Sequence, residues 1–297
     1  MIIDGHGHAC GPYLSSDSID RHLDEAGADL VVLTAGEAGS SKTYAIKDDT
    51  ERRPDDDYMG RNNRLIKVFV ALSRAARRIR AGNESVHGLA KANPRVLQYY
   101  WASGESVEEL EGLYGRMRFR GLKLQQVWAR EDLGGRRFDE LEEWLAAKGL
   151  PLFIHLADRK DALALAARAR RGLRTSVVVA HLYGFEALEE EGVLGAERLF
   201  FDVSNAYFVS RPRLERAVSR VGCGRLCLGS DTPYGEDALR RTIARIDSLA
   251  LPDGEKAKIL GQNLAELLRV DGAAARRRAS ARPPAGAPAE TGRGEDA

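Results

Sequence analysis

Strand-like apolar runs that alternate eight times with amphipathic helical stretches predict an α/β fold, a (β/α)8 TIM barrel with a long insertion after strand two. Two further observations point the same way. The chain has 297 residues, enough for a barrel of about 250 residues with extensions. No Gly-x-Gly-x-x-Gly follows the first apolar run, which argues against an open dinucleotide-binding sheet.

The candidate strands are residues 1–6, 30–35, 96–102, 119–125, 151–156, 176–181, 199–204 and 225–229. The first is a short apolar run that leads into His6 and His8. Side chains at i and i+2 of a strand share a face, so these two imidazoles are expected to enter one space. After strand two, Gly36 to Pro94 is too long for a simple βα unit. It holds a polar segment (47–57) and a helix-like run from Arg61 to about Arg80. From the catalytic face it would serve as a lid or a dimer contact, and both readings stay open. Further on, 138–148 places Phe138, Leu141, Trp144 and Leu145 at helical spacing, and Gly149 with Pro151 ends that helix and opens strand five. A second helical pattern covers 160–171. Residues 1–270 are expected to form the barrel. The tail 271–297, rich in Ala, Arg, Pro and Gly, is expected to be disordered.

With 45 Lys plus Arg against 44 Asp plus Glu, the formal charge is +1. Nothing there favours nucleic acid or an anionic membrane as a partner. Arg276, Arg277 and Arg278 read as part of a solvated tail. Cys10, Cys223 and Cys227 form no disulfide framework and no CxxC pair, so a reducing, cytoplasmic setting is the default. No signal peptide and no apolar run of about 18 residues is visible. A small-molecule substrate is expected, and a homo-oligomer is compatible with such a barrel.

Barrel enzymes build their sites from the C-terminal ends of the strands. Four of the six histidines fall there: His6 and His8 on strand one, His155 after Pro-Leu-Phe-Ile, and His181 after Ser-Val-Val-Val-Ala. Asp231 follows Leu-Cys-Leu-Gly-Ser on strand eight. A histidine after an apolar strand is commonly a hydrogen-bonded rim residue, and an aspartate there is commonly a cap or turn residue. Five such residues converging on one rim from four strands are better explained as a site. Imidazoles with a carboxylate suit a divalent ion such as zinc, with a position left for water.

Together these residues resemble the amidohydrolase superfamily, in particular the amidohydrolase-related group of hydrolases and non-oxidative decarboxylases. The resemblance is carried by Ile3-Asp4-Gly5-His6-Gly7-His8, Phe119-Arg120-Gly121-Leu122-Lys123-Leu124, Phe153-Ile154-His155, Val179-Ala180-His181, Gly229-Ser230-Asp231-Thr232-Pro233 and Ile259-Leu260-Gly261-Gln262-Asn263-Leu264-Ala265. It implies metal ligation by His6, His8, His155 and Asp231. His181 would polarise or protonate the substrate, and Asp231 would double as the base. Lys123 is expected to contact substrate or a carboxylate, with one zinc ion favoured. Were Lys123 carbamylated, it would bridge two ions. Gln125-Gln126 stands where relatives often carry histidine and proline. Two reactions share this ligand set: hydrolysis of an amide, lactone or ester, and decarboxylation or hydration of an aromatic or unsaturated acid. Tyr183, Asn205, Tyr207 and Tyr234 are candidate substrate contacts.

Overall fold

A computed structural model describes residues 1–36, 39–48, 50, 63 and 76–270. The tail, most of the polar segment of the insertion and most of its helix-like run lie outside the described residues. Eight strands appear: β1 (Ile3–His8), β2 (Leu30–Thr34), β3 (Val96–Trp101), β4 (Gly121–Gln125), β5 (Leu152–His155), β6 (Val177–Val179), β7 (Leu199–Asp202) and β8 (Leu226–Cys227). They pair in parallel in chain order. The last returns to the first through a bridge between Gly7 and Thr232. The Gly5 amide also donates to Leu228 O at 3.0 Å, and the His8 amide to Thr232 O at 2.9 Å. This is the expected (β/α)8 barrel.

Helices fill the connections: α1 (Ser16–Ala26), α2 (Ala76–Ala92), α3 (Val107–Met117), α4 (Arg136–Lys148), α5 (Arg159–Arg171), α6 (Phe185–Glu190), α7 (Arg211–Val221) and α8 (Ala238–Asp247). Their ends follow from local chemistry. Ser106 and Glu109 exchange capping-box hydrogen bonds at the start of α3. Gly149, at φ 64°, ends α4, whose buried face is the expected Phe138, Leu141, Trp144 and Leu145.

Apolar side chains form two layers. The larger lies between sheet and helices. The smaller fills the lower barrel with Ile3, Val32, Tyr99, Phe153, Val178 and Cys227, and Leu264 and Leu268 join it from a short helix, Asn263–Leu267, and the residue that follows it. Above that plug the buried residues turn polar: His6, His8, Lys123, His155, His181, Asp202 and Asp231. The site is therefore set by where the apolar filling stops. Strands six and eight are shorter than expected. β6 ends at Val179, and His181 sits in the turn Ala180–Leu182 with φ 59°. Its amide donates to Asp202 Oδ2 at 3.2 Å instead of to a strand ladder. Asp231 likewise leaves β8, with φ 55°. Among the described residues, no helix is long and apolar enough to cross a membrane.

Candidate metal centre

Strand one delivers His6 and His8 to the same side, their ring centroids 5.4 Å apart. Asp231 meets both from the far side of the barrel seam. Its Oδ1 lies 3.3 Å from His6 Nε2 and 3.2 Å from His8 Nε2. His181 Nε2 stands 3.8 Å from Asp231 Oδ2. All four residues are buried. Asp231 is placed by its own amide, which donates to His6 O at 2.6 Å.

Which nitrogen of each ring carries the proton follows from its other partner. His8 Nδ1 is 2.8 Å from Ala35 O, and a carbonyl can only accept, so Nδ1 is the donor. His181 Nδ1 is likewise 2.8 Å from Ser204 O. His6 Nδ1 faces Ser204 Oγ at 3.0 Å and Asp202 Oδ2 at 3.3 Å. Burial, reinforced by Lys123 and the other imidazoles, holds the pKa of His6 well below the usual histidine range, so its ring is neutral. Bonded through Nδ1, these rings turn their Nε2 atoms towards Asp231. Imidazole nitrogens gathered around a carboxylate at this distance are the donor atoms a cation takes, and Lys123 Nζ already stands 3.1 Å from His6 Nε2. His6, His8 and Asp231 offer three donor atoms within 4.8 Å of one another. By donor type and orientation this set fits a divalent ion.

Lys123 is buried, with Nζ 3.1 Å from His6 Nε2 and 4.2 Å from the centre of the Phe153 ring. Burial pushes its pKa down to about 8, against the opposing pull of Asp231 and Asp202. Beneath the site, Asp4 ties strand one to the β8 turn. It accepts from Tyr13 Oη (2.6 Å), Ser230 N (2.8 Å), Ser230 Oγ (2.6 Å) and His6 N (3.2 Å). Burial raises its pKa to about 6 despite these bonds.

His155 stands differently. Its ring is 5.1 Å from that of His181, edge to face. Its Nε2, however, meets Asn63 Oδ1 at 2.9 Å. Burial, with His181 and Lys123 nearby, also holds this ring neutral. Asn63 comes from the insertion and is itself buried.

Three participants carried no sequence signal strong enough to single them out. Asp202 and Ser204 lie at the end of strand seven, where the apolar run Leu199-Phe200-Phe201 followed by Asp202 repeats the pattern of the other strand tips. Ser204 Oγ donates to Asp202 Oδ2. Asn63 had no pattern to mark it. Of the expected substrate contacts, Asn205 bonds Tyr234 O (2.5 Å) and Tyr207 Oη bonds Glu236 O (2.8 Å), so both brace loops. Tyr234 packs edge-on to His8 at 5.8 Å and stacks on Tyr44 at 5.3 Å. Trp101 lies 6.0 Å from His8, and Phe208 lies 5.6 Å from His181. The Trp101 indole N–H finds no acceptor among the described residues.

A family model described as amidohydrolase matches residues 3–270. No curated protein matches. Among solved structures, the chain is similar to the 5-carboxyvanillate decarboxylase of Sphingomonas paucimobilis, at 15% identity and TM-score 0.60, over 91% of this chain and 99% of that one. It is also similar to a protein of Acinetobacter baumannii described as a probable 2-pyrone-4,6-dicarboxylic acid hydrolase, at 14% identity and TM-score 0.63, over 90% and 99%. A third similar structure is an amidohydrolase of Burkholderia multivorans with bound zinc, at 13% identity and TM-score 0.60, over 91% and 100%. At such identities the likeness is one of fold.

Proposed function

The chain belongs to the amidohydrolase family, and from that premise we propose that it is a metal-dependent hydrolase of a small amide, lactone or ester. The observation that carries the reading is the meeting of His6 Nε2 and His8 Nε2 with Asp231 Oδ1 at 3.3 and 3.2 Å. Bound there, a divalent ion (zinc, by the donor set) would polarise the scissile carbonyl and lower the pKa of a water toward roughly 7.

The protein's own groups do the rest. Asp231 takes the proton from the attacking water and passes it to the leaving nitrogen or oxygen, while the water oxygen bonds to the carbonyl carbon. Of His155 and His181, one completes the ligand set and the other faces the carbonyl oxygen as it gains charge. Lys123 keeps a positive charge beside the site and serves as a contact for substrate, not as a carbamylated bridge. Asp202, Ser204 and Ala35 O hold the imidazoles in the required tautomers.

A second reading has its own support. Trp101, Tyr234 and Phe208 set flat rings around the imidazoles, and such walls suit a planar acid. On that reading the reaction is decarboxylation or hydration of an aromatic or unsaturated acid. Assays of the zinc-loaded protein on a panel of lactones, amides, esters and hydroxybenzoates separate the two. Ring opening or amide cleavage without carbon dioxide supports the hydrolase. Carbon dioxide release from a hydroxybenzoate, with the hydrolytic substrates untouched, overturns it.

A further inference from the structure

We propose that the Trp101 indole N–H is a substrate-binding donor, which takes a carbonyl or carboxylate oxygen of the substrate beside His8. This rests on the metal-site reading above. Trp101 is the last residue of β3. It is 6% exposed, and its Nε1 is buried with no acceptor among the described residues. An unpaired buried donor is costly, and its place in the barrel points to what would pair it.

Strand parity puts the indole inside the barrel. Side chains two apart on a strand share a face, and Tyr99 belongs to the apolar filling below. Across the sheet Trp101 pairs with Lys123, whose Nζ stands 3.1 Å from His6 Nε2. Trp101 therefore sits one layer above the filling, at the level where Lys123 enters the site. Its ring centroid lies 6.0 Å from that of His8.

The side chain is held there from behind. β2 pairs with β3 only as far as Gln98. Beyond it Asn83 of α2 fills the gap: its Oδ1 accepts from Trp101 N at 2.9 Å, and its Nδ2 donates to Trp101 O at 2.9 Å. Trp128 packs edge-on to the indole at 5.9 Å. Both backbone groups of Trp101 are thus paired while its side-chain donor is not. The carbonyl of Ala35, which packs against the indole, already accepts from His8 Nδ1 (2.8 Å) and Thr34 Oγ1 (3.2 Å). An indole has one N–H and no acceptor. The contact therefore selects an oxygen and rejects an N–H at the same place, and it does so apart from the imidazoles that would hold the ion.

Indole 1H–15N signals of the full chain test this. The chain has three tryptophans, so Trp128→Phe and Trp144→Phe assign Trp101 by elimination. Zinc is added first. If it leaves the His6 and His8 ring 15N signals unmoved, the metal-site reading falls and the proposal with it. Once zinc moves them, 2-pyrone and benzoate serve as probes, one carrying a carbonyl oxygen and the other a carboxylate. At least one is expected to move the Trp101 indole proton downfield. Trp101→Phe is expected to weaken that probe by at least about fivefold, with zinc affinity within about twofold of the parent. An indole signal unmoved by both probes overturns the proposal and leaves the metal site standing. So does an unchanged probe affinity in Trp101→Phe, or a matching loss of zinc affinity, which would make the ring only a packing partner of His8. The parent spectrum decides even where Trp101→Phe fails to fold.

Discussion

Asp231 Oδ1 lies 3.2 and 3.3 Å from two imidazole nitrogens, and Asp231 is the only carboxylate to which both His6 and His8 turn among the described residues. Asp231→Asn keeps the shape but removes the charge and, on the proposed reading, the base. Turnover is expected to fall by roughly 10²–10⁴-fold while the thermal midpoint of the metal-free protein barely moves. Activity near that of the parent would remove Asp231 from the chemistry. Asp4 offers a pH test. Its carboxyl is raised from 3.8 to about 6 in the folded protein, so the fold binds that proton more tightly than the unfolded chain does. Stability is therefore lost as pH rises from about 4 through 6, by about 3 kcal/mol at most. Asp4→Asn stays neutral. Denaturant titrations should show the parent losing stability relative to Asp4→Asn between pH 4 and pH 7, whereas parallel curves would contradict this.

The tips of the strands decide the site, and most of them could be read from residue order. An apolar run gives way to a polar residue where the barrel filling ends, as in Phe153-Ile154-His155 and at Asp231 beyond Leu228. What residue order hid was the turn after the strand. His181 reads as the last residue of strand six, yet it adopts φ 59° with no glycine to announce it. Asp202 follows the same apolar-to-polar rule and does end strand seven, but its contacts with His6 and His181 are not announced by its neighbours in sequence. Asn63 lies 92 positions from His155, a contact that no local pattern encodes. Packing at the tips is tight. A Cβ at Gly229 would lie 2.8 Å from His6 Cβ and 3.0 Å from Ser204 Cβ, against the Asp202 carboxylate. Gly229→Ala is expected to cost about 1–3 kcal/mol, seen as a lower thermal midpoint, and to weaken metal binding as well. An unchanged midpoint with unchanged affinity would show that this crowding is relieved at no cost.

At the scale of the whole molecule, alternation alone was enough to order the eight strands and place the insertion, since a parallel barrel leaves each strand only its sequence neighbours to pair with. The reaction was less legible, because hydrolysis and decarboxylation draw on the same ligands. On the proposed reading His6 and His8 of strand one and Asp231 of the β8 turn would hold the ion, which would join parts of the chain far apart in sequence. Saturating zinc should stabilise the fold by about 2.7 kcal/mol at a hundredfold excess over Kd. That gain should vanish in His6→Ala, and its survival there would place the ion elsewhere. The most direct measurement is the metal content of the purified full chain after equilibration with zinc, with and without bicarbonate, for the parent and for Asp231→Asn. About one equivalent is expected in the parent, indifferent to bicarbonate, and markedly less in the variant. No bound metal in the parent, or two equivalents that depend on bicarbonate, would contradict it.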